Sequence, residues 1–442
     1  MCAASNSART AHAAIGDDPS IRIRRHSTMK KLALSLLALA SVSAFAQSAP
    51  TVTIYGIVDA GVQRVTGYKS GTDTALVSGI MEGSRIGLRG SEDLGGGWRV
   101  LFTLENRTEL NTGTVNNRPP SGTQAPDRIS QAGLMGLPAG LQPAVSGVAA
   151  SIGSSIGVNL AGNFWDRQAF VGLVTPVGAI IGGRQYTPAY EINATFDTLG
   201  TQSSLAAGQV ASIPSSVDIR VSNALQYRIQ MGGLTANLFY AFGGVSGNNT
   251  ANRLVGGMAM YKTGPYAAGI GYNTRNNELG EKSLTSTVIG ASANIGPGTV
   301  SGLYGIVKDD HPTGLSAIDQ SLVAQSVPQA FATLVENAFI NAMRQDGRLM
   351  HIGYKMPMGS NTLYVAYSAF DDKRPNNADT ASYGVAYTYA LSKRTDINAV
   401  VTHFNNKGLG QAAPGQAGFL GGVTASAGTD ANSVAIGIRH RF

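Results

Sequence analysis

From residue 51 onward the apolar residues of this chain recur at every second position rather than every third or fourth. In 51–62, Val52, Ile54, Val58, Ala60 and Val62 share one parity, and Thr53, Tyr55 and Asp59 hold the other. In 84–90, Ile86 and Leu88 stand against Arg85 and Arg89; in 98–107, Phe102 and Leu104 stand against Arg99, Thr103 and Glu105. Strand-like segments recur, with alternation of varying clarity, at 164–174, 234–242, 254–261, 266–273, 284–295, 300–307, 349–356, 362–370, 382–389 and 397–404. The last segment, 433–442, places Val434, Ile436, Ile438, His440 and Phe442 opposite Arg439 and Arg441. Alternation bounded by turn residues predicts strands with one apolar and one wet face.

The connections alternate too. Short Gly/Pro turns fall at 175–178, 231–233, 263–265, 296–298 and 358–359, and 91–97 also reads as a turn. Longer polar connections fall at 243–252, 275–282 and 308–347. Short turns on one rim and long loops on the other are the layout of a transmembrane antiparallel β-barrel, here of about sixteen strands. Closing the sheet satisfies every backbone group, as hydrocarbon demands. Composition agrees: only 13% of residues are charged, glycine supplies 56 of 442, and mean hydropathy is +0.01. Low charge without long apolar blocks is what alternation produces.

The amino-terminal stretch does not belong to that pattern. Residues 1–28 are polar, aperiodic, and read as a mis-assigned upstream start. Residues 29–46 carry Lys30 and Lys31, an apolar run, and Ala44-Phe45-Ala46 before Gln47, the layout of a cleaved signal peptide. The mature chain would be 47–442. Of 33 Lys/Arg, six precede Gln47, as do two of 26 Asp/Glu, leaving 33 − 6 = 27 against 26 − 2 = 24. With so small an excess and no basic run after Lys31, no nucleic-acid partner is expected. The sole cysteine, Cys2, lies before the leader, so the mature chain has no disulfides.

One connection stands apart. Between the strand-like segments ending GGRQY and beginning DIRVSNALQYR lies a long irregular stretch, 187–219, with Arg184 and Arg220 at its ends. Loops of that length inside a compact architecture are usually functional. The expectation is that 187–219 folds into the lumen and narrows it, its acids Glu191, Asp197 and Asp218 facing the arginines.

The chain resembles the Gram-negative general porins, particularly the β-proteobacterial kind. TVTIYGIVDAGVQ, SRIGLRGSEDLGGGWRVLFTLE, RQAFVGL, GGRQYTPAY, SNALQY and the terminal Phe442 carry the resemblance over almost all of the mature chain. It implies a homotrimer of sixteen-stranded barrels in outer-membrane lipid and lipopolysaccharide, with the third long loop inside each. It implies also that Phe442 is read by the barrel-assembly machinery, and that Arg85, Arg184 and Arg220 form a basic constriction wall. Arg85 and Arg220 have lumen parity; Arg184 shares its parity with the apolar Ile180. The Pro-Glu-Phe-Gly loop motif of enteric relatives is missing, and a lysine of some relatives is Ile57 here, with Asp59 pointing inward two residues on. Inward Asp59 and Glu105 would offset part of the positive field. Tyr55, Tyr240, Tyr261, Tyr367, Tyr387 and Tyr389 read as aromatic girdle.

Two stretches exceed a minimal porin. Residues 134–159 are a low-complexity insertion, read as a subunit contact or as disorder. In 328–343, Phe331, Leu334, Val335, Ala338 and Phe339 recur at helical spacing, predicting a short amphipathic helix over the pore mouth. The histidines are scattered and no HExxH motif or nucleophile elbow occurs, so neither metal, cofactor nor catalytic chemistry is expected. The expected function is passive diffusion of small hydrophilic solutes and ions, with weak to moderate anion preference. The alternatives are a substrate-specific channel, a barrel enzyme, or a surface adhesin or phage receptor.

Overall fold

The computed structural model describes residues 51–200, 203–211, 218–375, 377–415 and 421–442. The segments read as an upstream start and signal peptide, and parts of loop 187–219, lie outside the described residues. The strands, in chain order, are β1 Thr51–Tyr68, β2 Gly71–Ser78, β3 Arg85–Gly95, β4 Trp98–Arg107, β5 Gln168–Thr175 and β6 Gly178–Tyr186. They continue with β7 Arg220–Met231, β8 Leu234–Ala241, β9 Leu254–Thr263, β10 Tyr266–Asn276, β11 Lys282–Ile295 and β12 Gly298–Asp309. The last group is β13 Gln345–Met358, β14 Asn361–Asp372, β15 Thr380–Ala390, β16 Thr395–Asn406, the two-residue pair β17 Ala412–Ala413 and β18 Gly422–Val423, and β19 Ala431–Arg441.

Each long strand pairs antiparallel with its neighbours in sequence, and β19 closes the sheet onto β1 with Ile57 opposite Arg441 and Thr66 opposite Asn432. β1 pairs with β2 through its upper half and with β3 through its lower half. β2 and β3 are therefore one wall strand interrupted at 79–84, and the barrel has sixteen wall positions. The interruption, which alternation did not reveal, rests on Asp59. Its carboxylate accepts the N–H groups of Ile80 (2.9 Å), Met81 (3.0 Å) and Glu82 (2.8 Å). Asp59 does point inward, but it is sealed from the lumen, so its charge serves the backbone rather than permeating ions.

Outward faces carry the apolar parity: Val52, Ile54, Val62, Leu76, Ile436 and Ile438 are all at least half exposed in the isolated chain. In hydrocarbon this is the buried face. Tyr261, Tyr367, Tyr387 and Tyr389 share it. Tyr55 does not: it faces inward, its hydroxyl donating to Glu105. The expected turn at 91–97 is shorter than read, because β3 continues to Gly95. The reversal is made by Gly95, Gly96 and Gly97, all at φ between +60° and +81°, where only glycine is unstrained.

Among the described residues, four α-helices lie in the long connections: α1 Gln142–Ser155, α2 Pro188–Phe196, α3 Ile318–Ala324 and α4 Gln329–Met343. α4 is the helix predicted at 328–343. α1 lies within the low-complexity insertion at 134–159.

Candidate functional site

The loop 187–219 begins where β6 ends. Thr187 caps α2, its hydroxyl accepting from the Tyr190 N–H at 3.4 Å, and Pro188 opens the first turn. The other end of the loop is tied back, Thr187 N–H donating to the Ile219 carbonyl at 3.2 Å. α2 lies on the inner faces of β9, β10 and β11. It gets that close because the wall beneath it is glycine. A Cβ on Gly290 would meet the Phe196 ring at 2.2 Å, and one on Gly271 would meet Ala189 and Ile192 within 3.0 Å. Phe196 and Ile192 are consequently buried in the wall.

Beyond α2 the loop follows the wall and is pinned to it by polar contacts. Thr198 N–H donates to His351 Nε2 at 3.0 Å, and the other ring nitrogen of His351 meets Ser368 Oγ at 2.9 Å. Thr198 Oγ1 also meets Ser301 (3.1 Å), and Ser204 meets Thr402 of β16 (2.9 Å).

The loop acids are not free counter-charges. Glu191 pairs with Arg228 at 2.7 Å and Asp218 with Arg275 at 2.9 Å. Burial pushes the Glu191 carboxyl up, and Arg228 opposes that shift. Asp197 is buried and accepts the backbone N–H groups of Leu199 (2.8 Å) and Ala207 (2.7 Å), so it shapes the loop instead of facing the pore.

Opposite α2 the wall builds a dense basic cluster. Arg85 bonds Glu82 (3.1 Å) and approaches Glu105 (3.9 Å), which also takes Arg167 at 2.6 Å. Arg167 and Arg220 both donate to the Tyr186 hydroxyl, at 3.3 and 3.1 Å, and the Arg220 guanidinium lies 4.7 Å over the Tyr186 ring. Tyr190 of α2 stacks on Tyr186, centroids 5.0 Å apart, joining loop to wall.

Arg184 departs from expectation. The register sets it opposite Ala169, on the outward parity of Ile180. Its guanidinium donates to the Asp166 carbonyl (2.6 Å) and Ser222 (3.0 Å). The parity conflict noted from sequence is thus real: a bulge between Gly183 and Gln185 brings Tyr186, not Arg184, to the inner cluster.

Other inward cations were absent from the expected set. Arg89 lies 5.1 Å over Tyr55, and Lys355 lies 5.6 Å over Tyr364, its direct cross-strand neighbour. Arg439 and Arg441 share Glu82 and Asp396, all four contacts within 2.6–3.1 Å. Arg89 was legible, since it shares the Arg85 parity. The Lys355–Tyr364 pairing needs the strand register, which alternation does not supply. Two hollows open along these groups. One is lined by Arg89, Gln185, Tyr186, Glu191 and Arg228, the other by Lys355, Tyr364, Arg439, Arg441 and Glu82, and each holds about 460 Å³.

A closed barrel with an apolar outside, a charged inside and an inserted loop is a water-filled transmembrane channel. Known proteins agree. The Gram-negative porin model matches residues 33–409, and the chain belongs to that family. It is 27% identical over 435 residues to outer membrane porin protein 32 of Delftia acidovorans, across 94% of this chain and 100% of that protein. It is 24% identical over 454 residues to an outer membrane porin protein of Bordetella pertussis, with the same coverage of each. Among solved structures, an anion-selective porin from Comamonas acidovorans matches with TM-score 0.65 at 22% identity, covering 89% of this chain and 100% of that one. The protein is an outer-membrane porin: a passive channel for small hydrophilic solutes and ions, and not an enzyme.

Proposed function

We propose that this porin prefers anions, weakly to moderately, and works as a homotrimer. The observation that carries the first reading is an imbalance of partners. The inward acids Glu82, Glu105, Glu191, Asp218 and Asp396 each hold at least one cation within 3.1 Å. Three inward cations, Arg89, Arg220 and Lys355, stand over tyrosine rings without a carboxylate ion pair among the described residues. A tyrosine face attracts a cation without neutralising it, so these charges remain available to a passing anion. Screening over ~8 Å at physiological salt makes such near charges outweigh distant ones. Arginine keeps its charge at every accessible pH. That a structural relative is described as anion-selective supports the same reading.

Arg85, Arg220 and Glu191 would then border the constriction, while Arg184, Asp197 and Asp218 shape its rim. The test is the zero-current potential across a salt gradient in planar bilayers. Wild type should show anion preference, and replacing Arg89, Arg220 and Lys355 together by Ser should move it toward cations. Arg184→Ser should leave it in place. An unchanged potential in the triple variant overturns the reading.

The trimer reading rests on the exposed apolar surface shared by paired β1 and β19, including Val52, Ile54, Val62, Ile436 and Ile438. The terminal Phe442, bonded through its backbone to Gly56 at 3.1 Å in both directions, closes that seam and would be the handle for the barrel-assembly machinery. An SDS-resistant trimer that boiling dissociates is expected for the wild type, and a depleted one in the outer membrane for the Phe442 deletion. Sedimentation as monomer in detergent overturns the first claim; a deletion variant at wild-type level overturns the second.

A further inference from the structure

The connections after β4 and after β12 leave the wall eight strands apart in either direction around the ring, at opposite sides of the opening. They nevertheless share one apolar cluster. Ile129, Val145 and Ala149 come from the first arm, and Leu322, Val335 and Phe339 from the second. Ile129, Val145, Val335 and Phe339 have no exposed surface. The short turns Asp127–Ile129 and Gly133–Met135 lie directly against α4. In water such arms bury their apolar faces only by meeting, and here they meet across the mouth.

The bridge is also tied to neighbouring turns and connections. Lys69, in the β1–β2 turn, pairs with Asp127 at 2.6 Å, and the Asp127 N–H donates to Gln411 at 2.6 Å. The carboxy-terminal end of α4 receives two guanidiniums at its Ala342 carbonyl, Arg128 at 3.4 Å and Arg374 at 3.2 Å. Positive charge at that end of a helix is favoured by its dipole. Pro126 and Arg128 of the bridge, Val210 of the inserted loop, and the wall residues Phe370 and Thr380 border one small hollow of about 40 Å³. Bridge and inserted loop therefore come close to each other at this point.

We propose that this helical bridge is a second, outer size filter in series with the inserted loop, and that it excludes bulky solutes before they reach the charged lumen. It bears on size, because its seam is apolar; the unpaired cations that carry the ionic preference reside below it. The experiment uses the full-length porin in liposomes, with swelling rates measured for mono-, di-, tri- and tetrasaccharides alongside zero-current potentials in bilayers. In one variant residues 318–343 are replaced by a short Gly/Ser linker; in another, residues 137–156 are. Either should raise tri- and tetrasaccharide entry several-fold relative to monosaccharide, and the 137–156 replacement, which removes no charged residue, should leave the zero-current potential unchanged. Removing both should add little, since each arm holds the other. Phe339→Asp, which keeps chain length and charges the seam, should reproduce the effect even if the deletions assemble poorly. An unaltered size series in Phe339→Asp or either deletion, from protein that remains heat-modifiable, overturns the filter. A shifted potential with an unaltered size series does so too, and would leave the anion reading to be judged on its own variants.

Discussion

Two structures project over the opening of this barrel, and they are held by opposite means. The inserted loop 187–219 is bound to the wall: ring against glycine at Gly290, N–H against imidazole at His351, hydroxyl against hydroxyl at Ser301 and Thr402. The helical bridge is bound chiefly to itself, through one apolar seam between segments about two hundred residues apart. Distributed attachment makes the loop robust to single losses along most of its length. A seam concentrates the dependence on a few side chains such as Phe339, whose truncation removes about 3–5 kcal/mol of packing.

The contrast breaks most sharply at α2, where the loop too depends on packing. Gly290→Leu forces the added side chain into the Phe196 ring, and no backbone adjustment on a paired strand relieves that. Single-channel conductance should rise several-fold as α2 leaves the wall, with open-level noise increased; wild-type conductance would show the glycine seat to be dispensable. A smaller effect is expected at His351. Since the Thr198 N–H donates to Nε2, that nitrogen must be unprotonated in this arrangement. The nearby charged group on the loop is Asp197, already bonded to backbone. The latch is therefore present at neutral pH and lost as acidification protonates the ring. Acid should increase current fluctuations in wild type, and His351→Ala, which forfeits about 1–3 kcal/mol by orphaning the N–H, should show them at every pH. Equal pH dependence in both proteins would assign the effect elsewhere.

The smallest effect belongs to the foot of the bridge. Glu278 accepts from Gly314 N–H (2.9 Å) and from the Ser316 N–H (3.3 Å) and hydroxyl (2.7 Å). Partial burial pushes its carboxyl up, but these donors outweigh that and hold it below the usual range. Its contribution is present above the ordinary carboxylate pKa and disappears as pH falls through the lowered value. Hydrogen exchange at Gly314 and Ser316 should quicken modestly in Glu278→Gln at neutral pH and in wild type only under acid.

How much of this was legible in the sequence follows from the same contrast. A wall strand states its inside and outside at every second residue, so the sixteen positions, the lumen parity of Arg85 and the flanks of loop 187–219 could be read directly. Long-range partners have no such signature. Nothing local says that Glu105 is taken by Arg167, that Asp197 turns to its own loop, or that Asp59 holds the break at 79–84. Arg184 was drawn to the lumen by resemblance against its own parity, and parity was right. In α1 the buried side is Val145, Ala149 and Gly153, residues too small to mark a helix face against a Ser/Gly background. Its partner α4, with Val335 and Phe339, was visible as a helix but not as half of a bridge.

The seam between β1 and β19 has a consequence for how the molecule comes into being. Gln63 donates to Ser433 at 3.0 Å across 370 residues of chain. Until β19 arrives, the first strand presents an unpaired row of backbone donors and acceptors, an invitation to aggregate. Among the described residues, β1 with β19 is the strand pairing most distant in sequence and also the one that seals the barrel, and contacts of such separation form slowly. The first edge of the sheet therefore stays open until the last strand reaches it.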